Sequence, residues 1–187
     1  MYCREGGILV RQKNMKTRKG KTALLLALAI LAIPFALSEQ ARIPVKGASN
    51  NDWNKKSYWY EPWGASGVHK GIDIFAPAGR PVIAPVYGIV VYRGRLGIGG
   101  NVVAVLGPKW RIHYFAHLRD SSVQILEPVA RGEIVGTVGT SGNAAGKSPH
   151  LHYAILQLIP RFWKATGDTQ GWKRMFFVDP GEVITAT

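Results

Sequence analysis

Two short patterns in this sequence bring metal-binding side chains close together. The chain has five histidines, His69, His113, His117, His150 and His152. In His150-Leu-His152 a β-strand would put both imidazoles on one face, with Cα atoms about 6.6 Å apart, so the two rings converge on one small volume. One ring can bind a metal while the other reaches the metal's water; the plain alternative is two surface histidines on an edge strand. Pro149 sets an extended entry, and Tyr153-Ala-Ile-Leu continues the strand. In His69-Lys-Gly-Ile-Asp73 the two polar residues are four apart, about 13 Å in a straight strand. Ligands of one tetrahedral zinc sit only a few ångströms from one another, given bonds of about 2.0–2.2 Å. A helix would close that gap, but Gly67, Gly71 and Pro77 oppose one. If His69 and Asp73 hold one metal, the chain must bend between them, and Gly71 is the residue that permits it. Otherwise they are an ion pair in a turn.

Taken together, two histidines and a carboxylate make an open catalytic zinc set whose fourth position is left to water. The HExxH helix is absent, so no glutamate is placed as general base. That role falls to the remaining histidines, whose intrinsic pKa suits it.

The elements that must position these groups read as β-strands. Gly 22 and Pro 11 in 187 residues favour turns over a helical bundle. Pro81–Val91, Asn101–Leu106, Arg111–Leu118, Glu133–Val138 and Leu151–Ile159 are short β-rich runs with no strong 3.6-residue stripe, and no repeat or heptad occurs. The expected fold class is all-β: a compact antiparallel sheet or sandwich with long loops, preceded by an N-terminal apolar signal or anchor helix. Along Arg111–Leu118, alternation puts His113 on the face of His117, where it lines a groove or is a plain surface residue. Residues 39–60, rich in Asn and Lys, read as a polar linker, and the domain proper as 61–187.

Residues 1–21 hold seven bases and one acid ahead of the uncharged run Thr22–Leu37, TALLLALAILAIPFAL, and small residues end it at Ala36 and Ser38. A basic start, a short apolar run and small residues make a secretory signal peptide. The run is short of the roughly 20 residues of a membrane span, and Pro34 opposes an uninterrupted helix. The competing reading is an uncleaved anchor, with membrane attachment through residues 22–37; both put the body outside the cytoplasm, in the periplasm, secreted, or held at the outer face of the inner membrane. Met15 would begin a more ordinary signal peptide than Met1. The single cysteine, Cys3, allows no intramolecular disulfide and lies upstream of the run, where no lipoprotein cysteine sits. The formal net charge is +13, but the body has no dense Lys/Arg run, so nucleic acid is not the expected partner. Oligomeric state is not legible.

Gly64-Ala-Ser-Gly-Val-His69-Lys-Gly-Ile-Asp73, Tyr114-Phe-Ala-His117-Leu118 and Gly142-Asn-Ala-Ala-Gly-Lys-Ser-Pro-His150-Leu-His152 resemble, in order, the motifs of the lysostaphin-like (LytM-type) peptidoglycan metallopeptidases. The likeness covers roughly residues 61–155, with a looser fit at Phe177-Val-Asp-Pro180. It implies Zn2+ held by His69, Asp73 and His152, with His150 and His117 as catalytic histidines outside the ligand set, and a zinc endopeptidase acting on peptide cross-links or stem peptides of the bacterial cell wall. His113 matches no histidine of the family. Residues 159–175 fit no element of it; their aromatics Phe162, Trp163 and Trp172 cover the sheet or wall the groove, packing being the commoner role for such side chains.

Three other readings compete. One is a non-catalytic wall-binding activator of an amidase; the five site residues speak against it. Another is a biotinyl- or lipoyl-type carrier, which needs a lysine at an exposed hairpin tip and leaves the histidines unexplained. The last is a zinc peptidase acting on other exported proteins.

Overall fold

The computed structural model describes residues 6–184, and side chains from residue 19 onward. Met1 and Cys3 lie outside the described residues. The chain divides into two units, Met1–Leu37 and Ser38–Thr187. The first contains helix α1 (Gly6–Ala36). Its segment Lys19–Ala36 is long and apolar enough to cross a membrane, by length and composition alone. The helix runs through Pro34 rather than stopping there. Pro34 has no N–H to donate to the Ile30 carbonyl, so the ladder lacks one bond in the last turn.

The second unit is a nine-stranded, largely antiparallel sheet. Its strands are β1 (Ile72–Phe75), β2 (Pro81–Ile83), β3 (Gly88–Arg95), β4 (Asn101–Gly107), β5 (Arg111–Ser121), β6 (Pro128–Val129), β7 (Ile134–Val138), β8 (His150–Gln157) and β9 (Phe177–Val178). The main order is β1-β8-β5-β4-β3-β6, with β2 on β7, β7 also on β5, and β9 on β8. A four-residue helix, α2 (Pro180–Val183), follows, capped by the Asp179 side chain accepting from Gly181 N. The expected all-β antiparallel architecture is present. The run Pro81–Val91 is two strands, because β2 ends at Ile83 and the chain turns before β3.

β4 is the central strand. Val102, Val103, Ala104 and Val105 are all buried, as expected of a β-branched run covered on both faces. One face of the sheet packs Ile72, Ile74, Val103, Val105, Phe115, Leu151, Tyr153 and Ile155 into a continuous core. The other face, at β1, β5 and β8, is left open as a cleft.

Residues 39–60 do not behave as a linker. Ala41, Val45, Trp53 and Trp59 are buried. Arg42 N donates to Pro85 O (3.1 Å), Lys46 N to Pro81 O (3.0 Å) and Ile83 N to Pro44 O (2.9 Å), which satisfies the outer edge of β2. Glu39 is buried in contact with Arg111 and Lys109. Burial pushes its carboxyl up in pKa, and the two cations only partly offset this. The segment is a strap over the sheet, and its polar composition hides four anchoring apolar residues.

Candidate metal and catalytic site

Register builds the core of the site. β1 and β8 are antiparallel neighbours, with Asp73 directly opposite His152 and Phe75 opposite His150. Directly opposed residues carry Cβ atoms about 4.5–5.5 Å apart on the same face. Asp73 Oδ1 accordingly lies 2.9 Å from His152 Nδ1.

His69 joins them from outside the sheet. The chain bends at Gly71 just before β1 begins at Ile72, and His69 Nε2 reaches to 3.0 Å from Asp73 Oδ1 and 3.1 Å from His152 Nδ1. Gly71 is required here by close approach rather than by a left-handed backbone. A Cβ at this position would press on the Tyr153 carbonyl, 3.0 Å from its carbon and 3.1 Å from Ala154 Cβ. His69 is held from both sides: Trp59 N donates to His69 O (2.7 Å) and His69 N donates to Tyr60 O (3.0 Å). Its ring is fully buried and stacked under Trp63, centroids 4.1 Å apart and planes at 24°.

The chemistry of this trio fits a cation. His69 Nδ1 lies 2.9 Å from the Ser57 carbonyl, which can only accept, so Nδ1 carries a proton and Nε2 is the ring nitrogen aimed at Asp73 and His152. Asp73 Oδ1, His69 Nε2 and His152 Nδ1 lie only 2.9–3.1 Å from one another, a spacing that needs a proton or a metal cation among them. Ligand atoms of a tetrahedral zinc with bonds of about 2.0–2.2 Å are about 3.3–3.6 Å apart, so the trio needs only a small expansion to hold one. His69, Asp73 and His152 form a group able to hold a metal ion. Burial raises the Asp73 carboxyl, but its contacts with His152 and His69 more than reverse this and hold it well below the usual carboxylate range. Burial depresses His152, with Asp73 opposing.

His150 and His117 stand beside the trio. His150 Nδ1 donates to Ser148 O (2.8 Å), leaving Nε2 4.0 Å from Asp73 Oδ2. His117 Nδ1 donates to Ser141 O (2.9 Å), and the two rings meet edge to face at 5.0 Å. Each ring thus has its tautomer fixed by a backbone carbonyl and its Nε2 left free. Burial, and then the neighbouring His152, lower His117 to about 4.

His117 reaches this face by breaking the rule of alternation. Its φ is +62°, a left-handed value rare for a residue with a side chain. Here β5 leaves β8, which it pairs through Ala116, and takes up β7 from Leu118, and against β4 its register shifts between Phe115, opposite Val103, and Leu118, opposite Asn101. A bulge of this kind re-aims one side chain. His113, before the bulge, keeps to the other face. It does not line the groove: it is fully buried, with Nδ1 2.6 Å from the Tyr153 hydroxyl. Burial lowers it to about 3.

The five residues open into a cleft of about 660 Å³, whose walls include Trp63, Phe75, Tyr114, Leu156 and Phe177, with Lys70 and Lys147 adding positive charge. Sequence patterns had pointed to none of the carbonyls of Ser57, Ser141 and Ser148, nor to the Trp63 stack; side-chain periodicity carries no signal for a carbonyl partner. Phe162, Trp163 and Trp172, expected mainly as packing residues, are instead 69%, 77% and 57% exposed.

The same order of motifs and elements occurs in known peptidases. The sequence profile described as Peptidase family M23 matches residues 67–162, which hold all five site residues. An L-Ala--D-Glu endopeptidase of Bacillus subtilis (strain 168) is 38% identical over 118 residues, covering 57% of this chain and 35% of the relative. The peptidoglycan DD-endopeptidase ShyC of Vibrio cholerae is 35% identical over 89 residues, covering 48% and 20%. The chain therefore spans about a third or less of the length of these relatives. The catalytic domain of the antimicrobial peptidase lysostaphin from Staphylococcus simulans superposes with a TM-score of 0.52 at 29% identity, covering 57% of this chain and 81% of that domain. With a matched segment that takes in more than half the chain and the whole histidine and aspartate constellation, the chain belongs to peptidase family M23.

Proposed function

We propose that this protein is an exported zinc endopeptidase that hydrolyses peptide bonds of bacterial peptidoglycan. The observation that carries the proposal is the meeting of two sets of side chains in one cleft: a His69–Asp73–His152 group suited to a metal, and two imidazoles, His150 and His117, fixed so that each keeps a free Nε2. Zinc, when bound, supplies Lewis-acid polarisation of the scissile carbonyl and makes water more acidic. The residues do the rest. His69, Asp73 and His152 would hold the ion. His150 Nε2 accepts the proton of the attacking water. His117 Nε2, a lone pair at rest, takes up that proton in turn from the neighbouring His150, and only then can it steady the tetrahedral oxygen and give the proton to the leaving amine. Ser148 O and Ser141 O keep these rings from turning away.

The substrate reading rests on the activities named for the relatives. Export rests on the apolar segment before Ser38, as a signal peptide or as an attachment to the outer face of the inner membrane. The working domain is then Ser38–Thr187, strap included. Purified peptidoglycan incubated with the protein, with and without a chelator, tests the proposal. Chelator-sensitive release of peptide fragments is expected, and the new termini name the bond. Chelator-insensitive release, or zinc-loaded protein that cuts exported proteins but not walls, refutes it.

A further inference from the structure

Between β8 and β9 the chain makes an excursion over residues 158–176. The excursion is closed at its neck, where Arg161 N donates to Met175 O (2.9 Å) and Gln157 Nε2 to the same carbonyl (2.6 Å). Inside it, Thr166 N donates to Gly171 O, and Arg174 pairs with Asp168 at 2.7 Å. This is a self-bonded surface loop of the kind that is frequently functional. It nonetheless turns Phe162, Trp163 and Trp172 to solvent, each more than half exposed. Single exposed apolar residues are ordinary, but three large rings on one short loop carry a cost that a binding role offsets. Four cations accompany them, Arg161, Lys164, Lys173 and Arg174, against the single acid Asp168.

The loop adjoins the cleft. Gln170 Nε2 donates to Ser66 O (3.0 Å), and Ser66 lines the cleft. Lys173 Nζ donates to Oε1 of the same Gln170 side chain (3.1 Å), which ties it to this contact. Phe177, at the foot of the loop, is itself a cleft wall.

We infer that this excursion is a docking platform for the glycan strand that carries the substrate peptide. The inference rests on the peptidase reading above. A wall peptide is tethered to a polysaccharide. Five residues span at most about 18 Å, so a peptide seated in the cleft brings its glycan across the rim. Sugar rings present C–H faces that stack on aromatic planes, and the carboxylates borne by the peptides match Lys164 and Lys173. A bilayer interface also favours Trp and Lys, but the ties through Gln170, Lys173 and Phe177 make the loop continuous with the cleft, which favours the substrate's own carrier.

The test compares full-length wild type with the triple variant Phe162→Ala/Trp163→Ala/Trp172→Ala and with Trp163→Phe. Three readouts are needed: cleavage of a short soluble wall peptide with zinc, co-sedimentation with purified peptidoglycan in chelator, and binding to anionic phosphatidylglycerol vesicles. The triple variant should lose about tenfold in affinity for walls, by analogy with the strength of aromatic contacts. Its kcat/KM on the soluble peptide should stay within about twofold of wild type, on the same scale, and Trp163→Phe should retain most wall binding. Unchanged wall binding overturns the platform, as does an equal loss on the soluble peptide. A loss confined to vesicles, against the constant contribution of α1, assigns the loop to the membrane instead. If wild type cuts no peptide at all, the peptidase reading fails, while sedimentation still judges the platform.

Discussion

Gly71→Ala is the sharpest single perturbation of the site, because it moves a ligand without touching it. The added Cβ would sit against the Tyr153 carbonyl, 3.0 Å from its carbon and 3.1 Å from Ala154 Cβ. Carbon atoms prefer about 3.5–4.0 Å, and both obstacles belong to β8, the strand that carries His152. β1 must therefore retreat from β8 by about 0.5–1 Å to restore ordinary contact. Asp73 is two residues further along β1, and its 2.9 Å contact with His152 Nδ1 opens by a similar amount. Metal bonds tolerate only about 0.2 Å. Overpacking of this kind costs about 1–3 kcal/mol, which lowers Tm by about 2–10 °C in a domain of this size. Zinc affinity should fall by about 10–100-fold, the range seen when the support of a ligand is disturbed. Calorimetry in chelator reads the first quantity, and competition with a chromophoric chelator reads the second. Gly167→Ala, where a Cβ meets nothing within 4 Å, is the matched control. If Gly71→Ala retains both the Tm and the zinc affinity of wild type, the claim that close β1–β8 approach sets the ligand geometry is wrong.

Four other outcomes are expected. His150→Ala should keep zinc and lose turnover while His69→Ala loses zinc; equal metal loss in elemental analysis would overturn that division. His117→Gly and His117→Ala should both be inactive, but the glycine variant should be more stable to urea by roughly 1 kcal/mol, since only glycine occupies φ +62° without strain. His113 titrates near 3 when folded, against 6.5 for a free imidazole, so between those values the unfolded chain takes up a proton that the native state refuses, and stability falls as pH falls. The stability advantage of wild type over His113→Gln should therefore shrink by about 2 kcal/mol between pH 7 and pH 5 in urea titrations; a constant difference would contradict the burial argument. Glu39→Ala should lower stability by about 3 kcal/mol, by stranding Arg111, with Glu39→Gln less affected; no change in the thermal midpoint would show that the strap is not anchored there.

What the sequence reveals and what it conceals divide along a physical line. His69 with Asp73, and His150 with His152, are local patterns, and local backbone geometry makes them legible. The pairing of Asp73 with His152 is not local: the residues are 79 positions apart, and only strand register brings them face to face. Alternation is a sound rule until a bulge, so it placed His113 and His117 on one face when φ +62° at His117 puts them on opposite faces. The all-β class was readable from turns and β-branched runs. The strap was not, because Ala41, Val45, Trp53 and Trp59 are spaced with no period among polar residues. The exposed rings of residues 158–176 inverted the usual expectation for aromatics, which composition cannot foresee.

The strap also has a consequence for timing. Ala41 bridges in parallel to Ile184, so the strap, which also pairs with residues 81–85 and with Arg111, has one partner far along the chain. Closing so long a loop is entropically costly and slow. A chain emerging in order from its N-terminus cannot complete this sheet until nearly all of it is available. The cleft draws on late residues too, since His150 and His152 of β8 and Phe177 of β9 must join His69, which strap residues 57–60 hold locally. The metal-binding group and the two neighbouring histidines would then come together as one late event in folding.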